Sequence, residues 1–465
     1  MVVEKRLDFQ YSRLVSEMET KRTIVLKHLS STRNEEISFG RFLRNPRVSM
    51  HTILSEITSK TSQLVKAKSL LLIEDSTELS FGLDSQIKNI GKVGTGKEDG
   101  FYSHPVVVLD TQEQHCYGLA HCHIYNQNHK NKDAGYSLKE RIRLNNHTRF
   151  DQKDSYRWLS SIIEAKKVCQ SSASMTVVAD READIYEALE YFIEKLSIDF
   201  LIRMRVDRPV VGEGENQKIV DTLAKVAYQQ SYKIMLPATD KRSKDEAQLM
   251  VKWKELSIKK PKNNNDKTIA SSIKINVIQV SENPDTVVNN EEPIHWILLT
   301  SHPVESFEDA YQIIQWYTWR WFIEQLFRLL KSQGLNMEHS TLTTYESLSK
   351  LSLLALDVAI KILQLVMAKD VANPTDITNV FSEDEVEFIK ILAPTLEGKT
   401  DKLRNPYKND DLRFAIWVIA RLAGWSGYQK QSPPGPITLH RGMVIFKQLF
   451  RGFIITKSIC QRTSS

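Results

Sequence analysis

The chain is short of glycine, cysteine and surplus charge. Its 465 residues include 17 glycines, which excludes collagen-like and glycine-linker architectures. Four cysteines (Cys116, Cys122, Cys169 and Cys460) are too few for a disulfide framework at this length, and their spacings match no paired-cysteine zinc signature. The opening MVVEKRLDFQ has no apolar core of a secretory signal. The most apolar stretch, residues 351–368, is interrupted by Asp357, Lys361 and Gln364 at helical spacing. That pattern predicts a buried helix with one polar stripe, not a membrane span. A reducing, cytoplasmic setting with no membrane partner is the expectation. The 63 Lys and Arg exceed the 57 Asp and Glu by six, a surplus that permits a nucleic-acid partner without requiring one.

What is present is an ordinary globular composition, 41% hydrophobic and 26% charged, in a chain long enough for about two to four domains. Residues 4–29 carry Leu7, Tyr11, Leu14, Met18, Val25 and Leu29 at helical steps, which predicts one amphipathic helix. The first 50 residues hold ten Lys and Arg against six Asp and Glu, and Arg41, Arg44 and Arg47 cluster before a second helical pattern. A small basic helical region of this kind suits DNA contact, and equally a solvated helical cap.

From residue 68 the pattern changes to strands. KSLLLIED (68–75), HPVVVLD (104–110), CYGLAHCHIY (116–125), MTVVAD (175–180) and DFLIRMRV (199–206) read as buried strands, with helical patterns over 154–167 and 182–195. This order predicts an α/β layered domain. Residues 207–300 alternate short β-type runs with polar tracts such as TDKRSKDEAQ and KKPKNNNDKT, as a β-rich insertion would. Beyond 305 the chain reads as mostly helical, with a PPGP break at 433–436. The expected division is 1–65 N-terminal helical, 66–206 first part of the core, 207–300 insertion, 301–370 second part of the core, and 371–465 C-terminal helical.

Two acids, Asp75 and Asp180, each close an apolar strand, so the sheet fixes them while their heads reach the cleft beyond. For Asp180 a helix N-cap is the competing role. A third acid comes from residues 316–334. On a continuous helix Tyr317, Arg320, Glu324, Arg328 and Lys331 fall within an arc of about 80°. Trp319, Phe322, Ile323, Leu326, Leu329 and Leu330 occupy the opposite side. The result is a ladder of one carboxylate among cations and a phenol; a surface helix with i,i+4 ion pairs is the plain alternative. Carboxylates of this kind hold Mg²⁺ through oxygen and suit phosphodiester cleavage, with the cations gripping flanking phosphates. His115, Cys116, His121, Cys122 and His123 read as ordinary strand residues, since alternation puts Cys122 on the face opposite His121 and His123.

The spacing Tyr317-x2-Arg320-x3-Glu324-x6-Lys331 resembles the YREK signature of bacterial cut-and-paste transposases of the insertion-sequence-four family, which carry a DDE triad. DREADIYEAL (180–189) and IEDSTELSFG (73–82) resemble that family's segments around its second and first acids. RFLRNPRVS (41–49), KDSYRW (153–158) and WILLTSHPVES (296–306) also resemble segments of such a transposase, in the same order. The resemblance implies an RNase H-like core interrupted by a β-rich insertion. It implies that Asp75, Asp180 and Glu324 form a metal-binding catalytic triad for Mg²⁺, with Mn²⁺ able to substitute. Tyr317, Arg320 and Lys331 would contact double-stranded DNA near the cleaved end, and Trp296 would take a base flipped out of the duplex; on the charge pattern itself, Arg328 of the ladder and Arg41 and Arg44 of the basic N-terminal cluster are further candidate DNA contacts. A homodimer on DNA is also implied. On the residues themselves, the faces Phe414, Trp417, Val418, Arg421 and Ile437, Arg441, Val444, Gln448, Arg451 are candidate dimer surfaces. About 40 residues precede RFLRNP, fewer than the family's N-terminal DNA-binding region. That leaves a DNA-binding, dimerising inhibitor or inactive relic as the alternative.

Overall fold

The computed structural model describes residues 5–112, 114–126, 137, 139–140, 143–144, 148–212, 217–236, 245–287, 292–331, 334–369, 371, 374–427 and 433–463. The N-terminal region forms helices α1 (Lys5–Lys21), α2 (Leu26–Leu29), α3 (Arg33–Arg44) and α4 (Met50–Leu64). The single helix expected over 4–29 is therefore broken. Arg22 takes a left-handed conformation (φ 52°) that closes α1, and the chain re-enters helix at Leu26. Leu7, Tyr11, Leu14 and Met18 of the expected stripe are buried.

The centre is one eleven-stranded sheet. Strands β1 (Ser69–Glu74), β4 (Glu98–Asp110) and β5 (Cys116–Tyr125) pair antiparallel, and β6 (Ser174–Ala179) and β7 (Asp199–Arg203) add to β1 in parallel. Two short strands, β2 (Thr77–Ser80) and β3 (Gly91–Val93), pair with the outer half of β4. The order β5–β4–β1–β6–β7, antiparallel then parallel, is the RNase H-like arrangement expected from the sequence. β1 is apolar from Leu70 to Ile73 and β6 is buried from Thr176 to Ala179 because both faces of the sheet are covered there.

The strands of the insertion continue the same sheet. β11 (His295–Thr300) pairs antiparallel with β7, and β10 (Ser272–Glu282), β9 (Asp245–Lys259) and β8 (Gln230–Leu236) follow outward. Part of the TDKRSKDEAQ tract, 239–244, lies outside the described residues. One sheet face carries Leu70, Leu72, Val177, Phe200 and Ile202 against α5 (Arg157–Val168) and α6 (Tyr186–Tyr191). The other carries Ile73, Val178, Leu201 and Leu298 against α8 (Phe307–Trp319), α9 (Trp321–Leu330) and α10 (Tyr345–Ala368). A short helix, α7 (Ile219–Ala224), sits within the insertion.

α10 is long and apolar enough to cross a bilayer by length and composition, yet its most apolar window is 89% buried in this fold. Its polar stripe is partnered: Gln364 donates to the Cys116 carbonyl and Lys361 to Glu19 of α1. The chain ends in α11 (Glu383–Leu396), α12 (Leu412–Leu422) and α13 (Pro436–Thr463). Of the two C-terminal faces expected to meet a second subunit, the first packs within the chain, whereas Ile437, Arg441, Gln448 and Arg451 of the second are exposed and Val444 is half-buried. Phe414, Trp417 and Val418 are buried, and Arg421 donates to the carbonyls of Leu396, Trp425 and Ser426. On α13, Gln448 reaches the Thr20 carbonyl and Arg451 pairs with Glu17.

Candidate active site

Parallel pairing of β1 with β6 runs from Ser69↔Ser174 to Ile73↔Val178. Continuing that register two residues sets Asp75 beside Asp180, each one position past its strand. Side chains alternate across a sheet, so both acids lie on the face shared by Ile73 and Val178, which α8 and α9 cover. The turn behind each strand orients its acid: the Ser76 N–H donates to Asp75 Oδ1 at 2.8 Å, and the Glu182 N–H donates to Asp180 Oδ1 at 2.8 Å. Asp180 is thus an N-cap as well, of the 3₁₀ turn Arg181–Ala183. The two roles coexist because a carboxylate has two oxygens and the cap uses one.

Glu324 arrives from the opposite layer. The helix expected to run unbroken over 316–334 is divided at Arg320, which caps the end of α8 and the start of α9. Residues 332–333 lie outside the described residues. The division leaves Arg320 and Glu324 on one side, and the Arg320 guanidinium bridges the two layers. One terminal nitrogen donates to Asp75 Oδ2 at 2.8 Å and the other to Glu324 Oε1 at 2.8 Å. The Tyr317 ring is buried, with the Arg320 guanidinium 5.9 Å from its centroid and the Trp296 ring edge-on at 5.6 Å. Burial raises the Tyr317 hydroxyl, against the pull of Arg320 and Arg203.

The rest of the ladder diverges. Arg328 is exposed and stacks over Trp321, 5.8 Å from the ring centroid, while Lys331 points to Glu338 at 3.9 Å. Arg41 and Arg44 are exposed in the last turn of α3. That turn is tied to α10 by Lys350, which donates to the Asn45 carbonyl. So Asp75, Asp180, Glu324, Tyr317, Arg320 and Trp296 converge, whereas Arg328 lies over Trp321, Lys331 reaches toward Glu338, and Arg41 and Arg44 stand at the end of α3. His121 and His123 share a face of β5 that the buried Cys122 does not, as alternation predicts.

The convergence crowds carboxylates together in a buried setting. Burial and the neighbouring Asp180 push the Asp75 carboxyl up to about 7, even with Arg320 at hydrogen-bond distance. Glu74, fully buried behind Asp75, is pushed well above the carboxylate range, and its Oε1 has no hydrogen-bond partner. It meets His104 at 3.0 Å, whose own burial drives it well below the usual range. Burial thus disfavours charge on both partners of this contact. As the side chains stand, no three His, Cys, Asp or Glu groups among the described residues close around one ion. Arg320 occupies the space between Asp75 and Glu324 instead. The donor set is all carboxylate oxygen and crowded with like charge, which fits hard divalent cations.

Sequence reading missed Ser76, Glu182 and Arg157. Arg157 Nε donates to Ser76 Oγ at 3.1 Å and an outer nitrogen to Glu182 Oε2 at 2.8 Å. Arg157 was visible as the arginine of KDSYRW, but nothing local marks a partner some 80 residues away. A cavity of about 590 Å³ lies apart from the acids, between residues 148–156, Glu187–Lys195 and 263–269.

The sheet is RNase H-like, with Asp75 and Asp180 at the ends of adjacent parallel strands and Glu324 on a helix facing them, an arrangement compatible with a polynucleotidyl transferase and endonuclease. Residues 71–356 match the family described as Transposase DDE domain, and the chain belongs to that family. It is accordingly a transposase acting on DNA, in a family that generally uses divalent metal ions.

Proposed function

We propose that the chain is a Mg²⁺-dependent cut-and-paste transposase of the insertion-sequence-four, YREK type. The observation that supports this reading best is the Arg320 guanidinium joining Asp75 to Glu324, with Asp180 close to Asp75 and the Tyr317 and Trp296 rings alongside. Asp75, Asp180 and Glu324 would hold the divalent cations, which when bound supply Lewis-acid activation of the attacking oxygen and neutralise the leaving one.

The chain's own groups do the rest. Arg320, released from the acids, carries its two donors to a phosphate flanking the cleaved bond, and Lys331 and Arg328 extend that grip along the helix. Water attacks one strand at the element's end, leaving a 3′-hydroxyl and a 5′-phosphate. The new 3′-hydroxyl then attacks the opposite strand to close a hairpin and expel the flanking DNA. The half-buried Trp296 stacks on a base turned out of the duplex to let the hairpin bend. Arg41 and Arg44, exposed at the end of α3, contact the DNA backbone beyond the core.

Two ends must be held together, so the active form is a homodimer on DNA. Leu449, Ile455 and Ile459, exposed along the outer part of α13, are the surface that supports it. The regions 1–65, 66–206, 207–300, 301–370 and 371–465 would act as DNA-binding, core, insertion, core and dimerising units. The test is strand cleavage of matched element ends in Mg²⁺. Asp75→Asn, Asp180→Asn and Glu324→Gln should each abolish cleavage and leave DNA binding within about twofold. Near wild-type cleavage by any one of them removes that residue from the triad.

A further inference from the structure

We propose that Arg157 is a positioning residue that sets the separation of Asp75 and Asp180; this rests on reading both as metal ligands. The β1–β6 ladder is last seen at Ile73↔Val178, so the turns that carry the acids lie beyond the regular pairing. Arg157 bridges them. Its Nε donates to Ser76 Oγ, one outer nitrogen to Glu182 Oε2, and the other to the Asp154 carbonyl at 3.1 Å.

The two residues it grips are the same two whose backbone N–H groups orient the acids, Ser76 for Asp75 and Glu182 for Asp180. A single planar fork therefore fixes both donors at once, which a point-charged lysine cannot do. The fork is itself held. Its side chain is 14% exposed and lies 5.5 Å from the Tyr125 ring and 5.3 Å from the Trp158 ring. Ser76 Oγ is also 2.8 Å from His104 Nδ1, and His104 is anchored on buried Glu74. Packing fixes His104, His104 fixes Ser76, and Arg157 carries that order across to the second acid.

The consequence for metal binding has a definite sign. Removing a cation beside acids raises their affinity for a divalent ion, whereas releasing the two turns lowers it. Groups that orient metal ligands in this way typically account for about 10–100-fold in affinity. Mn²⁺ binding to the full chain, read from water-proton relaxation, separates the two effects without requiring cleavage.

Arg157→Lys keeps the charge and loses the fork; Ser76→Ala removes one jaw without changing charge. Both should weaken Mn²⁺ binding at least about tenfold, with the near-UV circular dichroism of the wild type. The double variant should be no weaker than Arg157→Lys alone. Wild-type Mn²⁺ affinity in folded Arg157→Lys, or tighter binding in Arg157→Ala, overturns the proposal. Asp180→Asn is the reference. If it too binds Mn²⁺ like the wild type, the metal assignment of the acids fails and the role of Arg157 falls with it. If it loses binding while Arg157→Lys and Ser76→Ala do not, only the positioning role fails.

Discussion

Arg320 and Asp75 form an ion pair across two layers of the fold, 2.8 Å apart and both less than one-fifth exposed. Burial works against the guanidinium's charge, and Asp75, Tyr317 and Glu324 together raise it nonetheless. The positive charge between the acids is thus supplied by the protein, at the place where the proposed reading puts a metal.

Arg320 and a divalent cation then compete for the same oxygens. Arg320→Gln should bind Mn²⁺ more tightly than the wild type, by about tenfold, since one nearby unit charge is worth about 1–2 kcal/mol at a partly buried site. The same variant should cleave element ends more slowly through the lost phosphate contact. Titration of Mn²⁺ and end cleavage in parallel would show the opposed effects, and a variant weaker in both would refute the competition.

Trp296 touches Tyr317 and is half-buried, so its removal should spare the first chemical step. In Trp296→Ala, nicked ends should accumulate while hairpins form about 10–100-fold more slowly, the size of a lost base stack of about 1–3 kcal/mol. Denaturing gels resolve the two products directly. Normal hairpin yield from the variant would end the stacking role.

A third prediction concerns the buried charges joining α1 to the C-terminal helices. Glu19 pairs with Lys361 of α10 and Lys447 of α13, and Lys447 also pairs with Glu385 of α11. Burial alone would raise Glu19, but the two lysines overcome it and hold the carboxyl at about 2 against an ordinary 4.5. A depressed carboxyl stabilises the fold above its unfolded value and loses that contribution as pH falls through its folded one. Glu19→Gln should therefore be less stable than the wild type at neutral pH, on the order of 3 kcal/mol. The difference should shrink as pH falls from about 4.5 toward 2. Denaturant unfolding at several pH values measures it, and a pH-independent difference would contradict the ion-pair account.

The C-terminal helices separate into core and surface. Phe446 is fully buried against Phe381, Phe388 and Phe450, so Phe446→Ala should cost about 3–5 kcal/mol. Truncation near residue 400 should prevent folding, because α12 and α13 supply part of the main core. Asp at Leu449, Ile455 or Ile459 should leave the thermal midpoint within about 2 °C and reduce pairing of two DNA ends. Sedimentation of the DNA complex distinguishes one bound subunit from two. Undiminished end pairing by all three variants would place the interface elsewhere.

Much of the core was legible because its strands are buried on both faces and read as mostly apolar runs, as in SLLLIE and SMTVVA. The short strands β2 and β3 were not, since TELS and GKV have neither length nor alternation and are strands only by pairing with β4. The acids proposed as metal ligands stood out in the sequence because two end apolar strands and the third sits among spaced cations. What periodicity could not supply was the break at Arg320. Nor could it supply the tie from Arg320 to Asp75 across two layers, although Glu324 and Arg328, both on α9, keep the relation that a uniform rotation gives them. The face of Phe414, Trp417 and Val418 packs inside this chain for a reason periodicity also hides: an apolar stripe on a helix reads the same whether its partner belongs to this chain or to another.

The antiparallel joint between β7 and β11 ties the insertion's evolution to the chemistry. The turn between β9 and β10 sits at the end of their ladder, where length can drift at little cost. The joint's register cannot drift, because a slip of one residue in His295–Thr300 would turn Trp296 to the far face and put Ile297 against Tyr317. Relatives of this chain should accordingly differ in the number of residues between β8 and β11 by any amount their loops allow. From Trp296 to the strand's end at Thr300 they should tolerate no insertion or deletion of odd length.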